Sequence, residues 1–350
     1  MKIIERALPG EGWLLRKLRP VGGATTASPF RTAETEARKI LAIFAAHRRM
    51  VLGPDACATH CAACLAPHLQ KTVEAVRAGR PIEFVLPAFP GKSPNPAKVL
   101  GHLPDLAEEK ALEFLDSLCR QVQKIYRPGA RIILCSDGRV FSDLVGMKEA
   151  QVTAYQAHLN HILSKRSLTT ISTFNLDELY GEKSFESMRS ELMDEYGQPL
   201  ELLKERVKRG GNGSEGAVDL EAHRMYCGIT RFLFEDALIP GQNKSRTAIQ
   251  KECRVRAYEV IRRSNAWSAL VAERFPRAIR LSIHPQSCGA RKMGIQLLAA
   301  NSWMTPWHGV ALNTGNEFVL TKWSDADKLG ARVVLDASGR PSHYELKGSC

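Results

Sequence analysis

The chain has 350 residues, with 49 Lys plus Arg against 37 Asp plus Glu, a formal net charge of +12. At 44% hydrophobic and 25% charged it has the composition of a globular protein with a sizeable core, which excludes a disordered or fibrous chain. No apolar run approaches the roughly 18 residues of a membrane span, and the opening MKIIERALPGEGW lacks the apolar stretch of a secretory signal. Nine cysteines, an odd count, fit a reducing compartment better than a disulfide framework, so a cytoplasmic protein with no membrane partner is expected.

The positive charge suits nucleic acid, an anionic surface or a small anionic substrate. Its basic residues are spread along the chain (Arg48-Arg49, Lys204 to Arg209, Lys251 to Arg256, Arg262-Arg263), and no RNP-type aromatic motif, paired-His zinc-finger spacing or helix-turn-helix stands out. A nucleic-acid-binding protein is the alternative that charge alone leaves open; no nucleic-acid partner is expected.

In chain order, residues 1–30 read as an N-terminal arm closing on Pro20-Val21-Gly22-Gly23, and residues 31–350 as one catalytic region. A helix begins near Thr32, with Ile40, Leu41 and Phe44 on one face, and Gly53-Pro54 ends it. A second helix runs from Pro67 to about Val76. Within 80–175, IEFVLP at 82–87 is a buried strand, Leu106 to Tyr126 an amphipathic helix, RIILC at 131–135 a strand, SDGRVFSDLVG at 136–146 a loop, Lys148 to Lys165 a helix and Leu168 to Phe174 a third strand. That alternation predicts an α/β fold, a Rossmann-like and mainly parallel sheet with flanking helices. Residues 184–275 read as a largely helical segment, broken at 210–216 and 239–241. Residues 276–350 return to strands at 278–283, 293–298, 317–320 and 332–336, with a terminal hairpin through SGRP at 338–341.

Ligands of open parallel sheets sit beyond the carboxyl ends of the strands. The loop AFPGKSPNP at 88–96 follows such an end. Its prolines restrict the loop, while Lys92, Ser93 and Asn95 are candidates to bind phosphate or carboxylate oxygens. In SDGRVFSDLVG, Gly138 permits a positive-φ turn, Asp137 and Asp143 are candidate acid/base groups, and Arg139 is a candidate anion clamp. His284 in SIHP and His308 in TPWHG are candidate proton carriers, with Lys292 nearby in sequence and Trp307 a candidate aromatic wall. Each of these residues also has an ordinary reading, as a solvated charge, a turn or a hydrogen-bonded core group.

Cys57, Cys61 and Cys64 form a C-x3-C-x2-C run. The reading that needs no ligand is three small buried cysteines on one helix face. A zinc site completed by His60 or His68, and the [4Fe–4S] triad of radical S-adenosylmethionine enzymes, are the alternatives. No metal is expected.

With these segments in hand, the sequence resembles the isonitrile (isocyanide) synthase family, also called the pyoverdine/dityrosine biosynthesis family. The resemblance is carried by PHL at 67–69, FVLPAFPGKSPNPAKVLGHLPDLAEE at 84–109, SDGRVFSDLVG, SIHP, KMGI at 292–295 and TPWHGV at 305–310, spanning about residues 60 to 315. It implies conversion of the α-amino group of an aromatic L-amino acid, tyrosine ahead of tryptophan, to an isonitrile. The implied carbon donor is ribulose 5-phosphate, a co-substrate, with no redox cofactor and with a downstream isonitrile-modifying oxygenase acting on the product. Asp137, Asp143, His284 and His308 are then the expected acid/base groups. Lys92, Arg139 and Lys292 are the expected anion anchors, beside Ser93, Asn95 and Trp307.

Overall fold

The computed structural model describes residues 29–51, 57, 61–136, 138–213, 216–300 and 304–346. The expected arm and Gly53-Pro54 lie outside these residues.

The chain enters through α1 (Pro29–Ala45) and α2 (Ala62–Arg77). It then alternates β1 (Ile82–Leu86), α3 (Leu106–Ile125), β2 (Ala130–Cys135), α4 (Gly138–Val145), α5 (Glu149–Lys165) and β3 (Ile171–Phe174). A helical stretch follows: α6 (Asp177–Tyr180), α7 (Phe185–Tyr196), α8 (Leu200–Gly211), α9 (Ala217–Ala237) and α10 (Arg246–Arg274). The sheet resumes with β4 (Ile279–Ser282) and β5 (Met293–Gly294). A 3-10 turn at Pro306–His308 leads to β6 (Val310–Asn313), β7 (Phe318–Thr321), α11 (Trp323–Lys328), β8 (Arg332–Leu335) and β9 (Pro341–Glu345).

Strands β1 to β5 make one parallel sheet in the order β3-β2-β1-β4-β5. Successive side chains of a strand point to opposite faces. Accordingly Phe84 and Leu86 join Leu112 and Leu115 of α3 and Phe44 of α1 on one face. Val85, Ile133 and Cys135 join Trp267 and Leu270 of α10 on the other. Both faces are covered, which is why β1 and β2 are nearly continuous apolar runs. The predicted α/β fold is observed. The chain winds outward from β1 to β3 and returns beside β1 as β4, so the sheet reverses direction between β1 and β4. A second sheet, β7-β6-β9-β8, ends in the antiparallel β8–β9 hairpin expected at the C-terminus.

Helix α3 starts with a reciprocal cap. The Asp105 side chain accepts from the backbone of Ala107, and Glu108 reaches back to the Asp105 amide.

Several boundaries differ from the sequence reading, for identifiable reasons. Helix α1 stops at Ala45 rather than near Gly53, because the following residues leave the helix to bridge the sheet edge, Arg48 to Ile295 and Met50 to Gln286. Helix α2 begins five residues ahead of Pro67, which lies inside it. The run at 293–298 pairs with β4 only at Met293–Gly294; Ile295, Leu297 and Leu298 are apolar because they fill the core. The segment 138–145, expected as a loop, is helix α4, whose Val140 and Phe141 are buried against the second face. Gly138 has no positive φ. It is required by contact: a Cβ there would stand 1.9 Å from the Pro90 carbonyl oxygen. Strand β6, not anticipated from the sequence, is the buried centre of the second sheet.

Candidate active site

The reversal between β1 and β4 is the point at which an open parallel sheet takes its ligand, in the crevice beyond the carboxyl ends of those strands. The loop after β1 forms one wall. It begins with Phe89, held at φ 58°, fully buried and packed 5.1 Å from the Trp307 ring. A bulky residue in the left-handed region costs about 1–3 kcal/mol and persists only where its surroundings impose it. Here the Phe89 carbonyl accepts from Ser136 Oγ, which in turn accepts from Gln156. The Ser93 amide donates to the Trp307 carbonyl at 2.8 Å.

Ser93 Oγ donates to Asp236 Oδ1 at 3.0 Å, and Lys98 Nζ is ion-paired to the same oxygen. Asp236 comes from the end of α9. Its other oxygen, Oδ2, faces His308 Nδ1 at 3.8 Å, and neither atom has a hydrogen-bond partner among the described residues. Asn95 donates to the carbonyls of Glu235 and Leu238, fixing the end of α9 on the loop. His308 stands edge-on to Phe232, 4.7 Å away. Burial pushes its imidazole down to about 4, against the opposing pull of Asp236. The ring is therefore neutral at pH 7 and able to accept a proton. Sequence reasoning found Ser93, Asn95 and His308 but not Asp236 or Lys98. No local motif marks either residue, and Asp236 is 143 positions from Ser93.

A second group of candidates follows β4. His284 is exposed; desolvation, then Lys292 and Arg49, lower its imidazole below the ordinary range. Among the described residues Lys292 makes no ion pair or hydrogen bond; burial, then Arg280, lowers its ammonium, and Glu221 is its acidic neighbour. Arg49 spans both histidine segments: Nη1 donates to the Ile283 carbonyl at 2.7 Å and Nη2 to the Met304 carbonyl at 3.2 Å.

The other candidates are placed differently. Lys92 is completely buried, with Nζ 2.8 Å from both Asp105 and Glu108 and donating to the Pro306 carbonyl at 3.1 Å. Burial works against its charge, but the two carboxylates outweigh it and raise its pKa. The ammonium is thus taken up by two ion pairs and one hydrogen bond, and Lys92 locks the β1 loop to the cap of α3. Arg139 divides its guanidinium between Gln156 at 2.6 Å and Asp177 at 2.9 Å and lies 5.2 Å from the Phe185 ring. Asp143 is held by both Arg263 nitrogens, at 2.7 and 3.0 Å, and by Arg189 at 3.7 Å. It faces a surface groove of about 360 Å³ between α4, α7 and α10 rather than the histidines. Trp307 is 3% exposed and belongs to the core behind the crevice. Asp137 lies outside the described residues, as does His60. The three cysteines do not share a helix face: Cys57 precedes α2, Cys61 is its N-cap and Cys64 lies in its first turn.

A doubly wound α/β sheet with buried acid–base groups at its reversal point defines an α/β enzyme. The sequence profile of the pyoverdine/dityrosine biosynthesis protein family matches residues 73–334. The chain belongs to this family, that of the isonitrile synthases. It is 44% identical over 300 residues to the L-tryptophan isonitrile synthase AmbI2 of Fischerella ambigua, covering 85% of this chain and 88% of that one. It is 47% identical over 276 residues to an L-tyrosine isonitrile synthase of Pseudomonas aeruginosa, covering 77% and 81%. The crystal structure of the PvcA protein from Pseudomonas aeruginosa superposes with a TM-score of 0.82 at 43% identity, over 89% of this chain and 99% of that one. Among the described residues no helix is long and apolar enough to cross a membrane.

Proposed function

We propose that this enzyme converts the α-amino group of an aromatic L-amino acid, L-tyrosine first and L-tryptophan next, to an isonitrile, with ribulose 5-phosphate as the carbon donor. The observation that carries the reading is similarity, over most of both chains, to relatives named for L-tryptophan and L-tyrosine. The crevice supports it chemically. The substrate amine must lose its ammonium proton before it attacks the ketone carbon of the sugar; a C–N bond forms, water leaves and an imine results. His308, neutral because it is buried, is the base suited to that proton, and Asp236 stands where it stabilises the imidazolium formed. His284, whose imidazole is shifted in the same direction, is the second proton carrier for the shifts that precede carbon–carbon cleavage and phosphate loss. Lys292, with Arg280 beside it, is the cation suited to the sugar phosphate. Lys92 is not assigned that role, since two carboxylates already hold it.

The chemistry calls for no redox cofactor and belongs in a reducing cytosol, and its product suits a downstream oxygenase. The test is incubation with ribulose 5-phosphate carbon-13-labelled at the ketone and each of the twenty amino acids, read by mass spectrometry. The expected product gains one labelled carbon and loses both amine hydrogens, with tyrosine turned over best. No labelled isonitrile from any amino acid overturns the reading; an unlabelled one removes the carbon donor.

A further inference from the structure

Cys288, in the loop between β4 and β5, meets the cysteine run from the other end of the chain. Its Sγ is 3.3 Å from Cys64 and 3.8 Å from Cys61, and Cys57 is 3.0 Å from Cys64. All four sulfur atoms lie within 4.8 Å of one another. Four thiolates at about 2.3 Å around one tetrahedral zinc stand about 3.8 Å apart, so this spacing is that of ligands to a single ion. In a [4Fe–4S] cluster each thiolate binds a different iron, which spreads the sulfurs farther apart. The open iron of a radical enzyme also requires three cysteines, not four.

We propose that Cys57, Cys61, Cys64 and Cys288 bind one zinc ion in a closed structural site. Four thiolates and Zn²⁺ carry a charge of −2. Arg48 offsets part of it, with Nη2 3.3 Å from Cys57 Sγ and 3.4 Å from the Cys57 carbonyl oxygen. Four protein ligands leave no position for substrate, so the ion does not take part in the chemistry. Its effect is on the loop it ties down. Cys288 lies four residues after His284 and four before Lys292, and the same loop is bridged to the α1–α2 connection through Met50 and Gln286. Binding displaces the thiol protons to solvent and joins two segments separated by 224 residues.

The test is metal analysis of the full-length protein purified with reductant and without chelator. One zinc per chain and no stoichiometric iron are expected. A thiol-specific mercurial should release that zinc in proportion to four cysteines, and cobalt exchange should give the intense visible bands of a tetrahedral thiolate site. Cys288→Ser should weaken zinc in chelator competition by more than the roughly 10–100-fold that loss of an outer partner costs, while Cys227→Ser, at an exposed cysteine, should leave it unchanged. Should Cys288→Ser fail to fold, zinc content and the cobalt spectrum of the unmodified chain decide the matter. Failure of metal-free protein to bind added zinc, a Cys57–Cys64 disulfide in reductant, or stoichiometric iron overturns the proposal. None of these readouts depends on isonitrile formation.

Discussion

Asp236 Oδ2 and His308 Nδ1 face each other at 3.8 Å with no other partner for either atom among the described residues. Buried polar atoms are nearly always hydrogen-bonded, so two such atoms turned toward one another at 3.8 Å are placed to close into a hydrogen bond when the imidazole takes up a proton. His308→Gln should lower kcat by about 100-fold or more, the usual worth of a positioned base, with little change in stability because the Lys98–Asp236 pair survives. Asp236→Asn should lower kcat and also stability, since Lys98 loses its carboxylate. Steady-state isonitrile formation and urea unfolding separate the two. An unchanged kcat for His308→Gln removes the base role.

Lys92 and Lys292 should behave oppositely. Lys92→Met strips a buried ammonium from two carboxylates and should cost about 3–5 kcal/mol of stability. The KM for ribulose 5-phosphate of the folded enzyme should stay near that of the parent. Lys292→Met should leave urea unfolding nearly unchanged and raise that KM about 10- to 100-fold, the worth of one charged hydrogen bond. The reverse pattern would return the phosphate to Lys92.

Stability should depend on pH through His68. Burial, followed by Lys71, pushes its imidazole down to about 4, whereas the unfolded side chain titrates near its ordinary 6.5. Between those values the unfolded chain binds a proton that the fold excludes. The contribution is complete above about pH 6.5 and falls by about 3 kcal/mol as the pH drops to about 4. Glu108, pushed up to about 7 by its burial, acts with the opposite sign in an overlapping window. The histidine contribution is therefore read as the difference in unfolding free energy between parent and His68→Asn, which should narrow as pH falls. A difference that does not change with pH overturns it.

Gly138→Ala should damage folding more than its single methyl suggests. The added carbon meets the Pro90 carbonyl oxygen at 1.9 Å, and backbone on both sides must shift to admit it. A loss of more than about 3 kcal/mol is expected, the upper end for ordinary substitutions; soluble protein with an unchanged thermal midpoint would contradict the close approach.

The α/β frame was legible because IEFVL and RIILC are apolar but for one charge each, Glu83 and Arg131, and α3 keeps its stripe through Leu112, Leu115 and Val122, patterns set by burial. Helix α4 was not. It is eight residues long and opens with a turn-like Asp-Gly pair, so its helical signal is weaker than its turn signal. Within the crevice, the residues on distinctive loops, Ser93 and His308, were visible. The buried charges Asp236, Lys98 and Arg49 were not, because nothing local distinguishes a buried charge from a solvated one. Cys288 was missed for the same reason: one cysteine says nothing until the fold brings three others to it.

The guanidinium of Arg49 has a mechanical consequence. Its two bonds, to the carbonyls of Ile283 and Met304, tie the stretches that carry His284 and His308 to one rigid group. Drawing the two imidazoles apart would break one of these bonds to a buried charge, at about 1.5–3 kcal/mol. Asp236 is held in turn by Ser93 and Lys98, and the end of α9 by Asn95, so the His308–Asp236 spacing is set by the fold before substrate arrives.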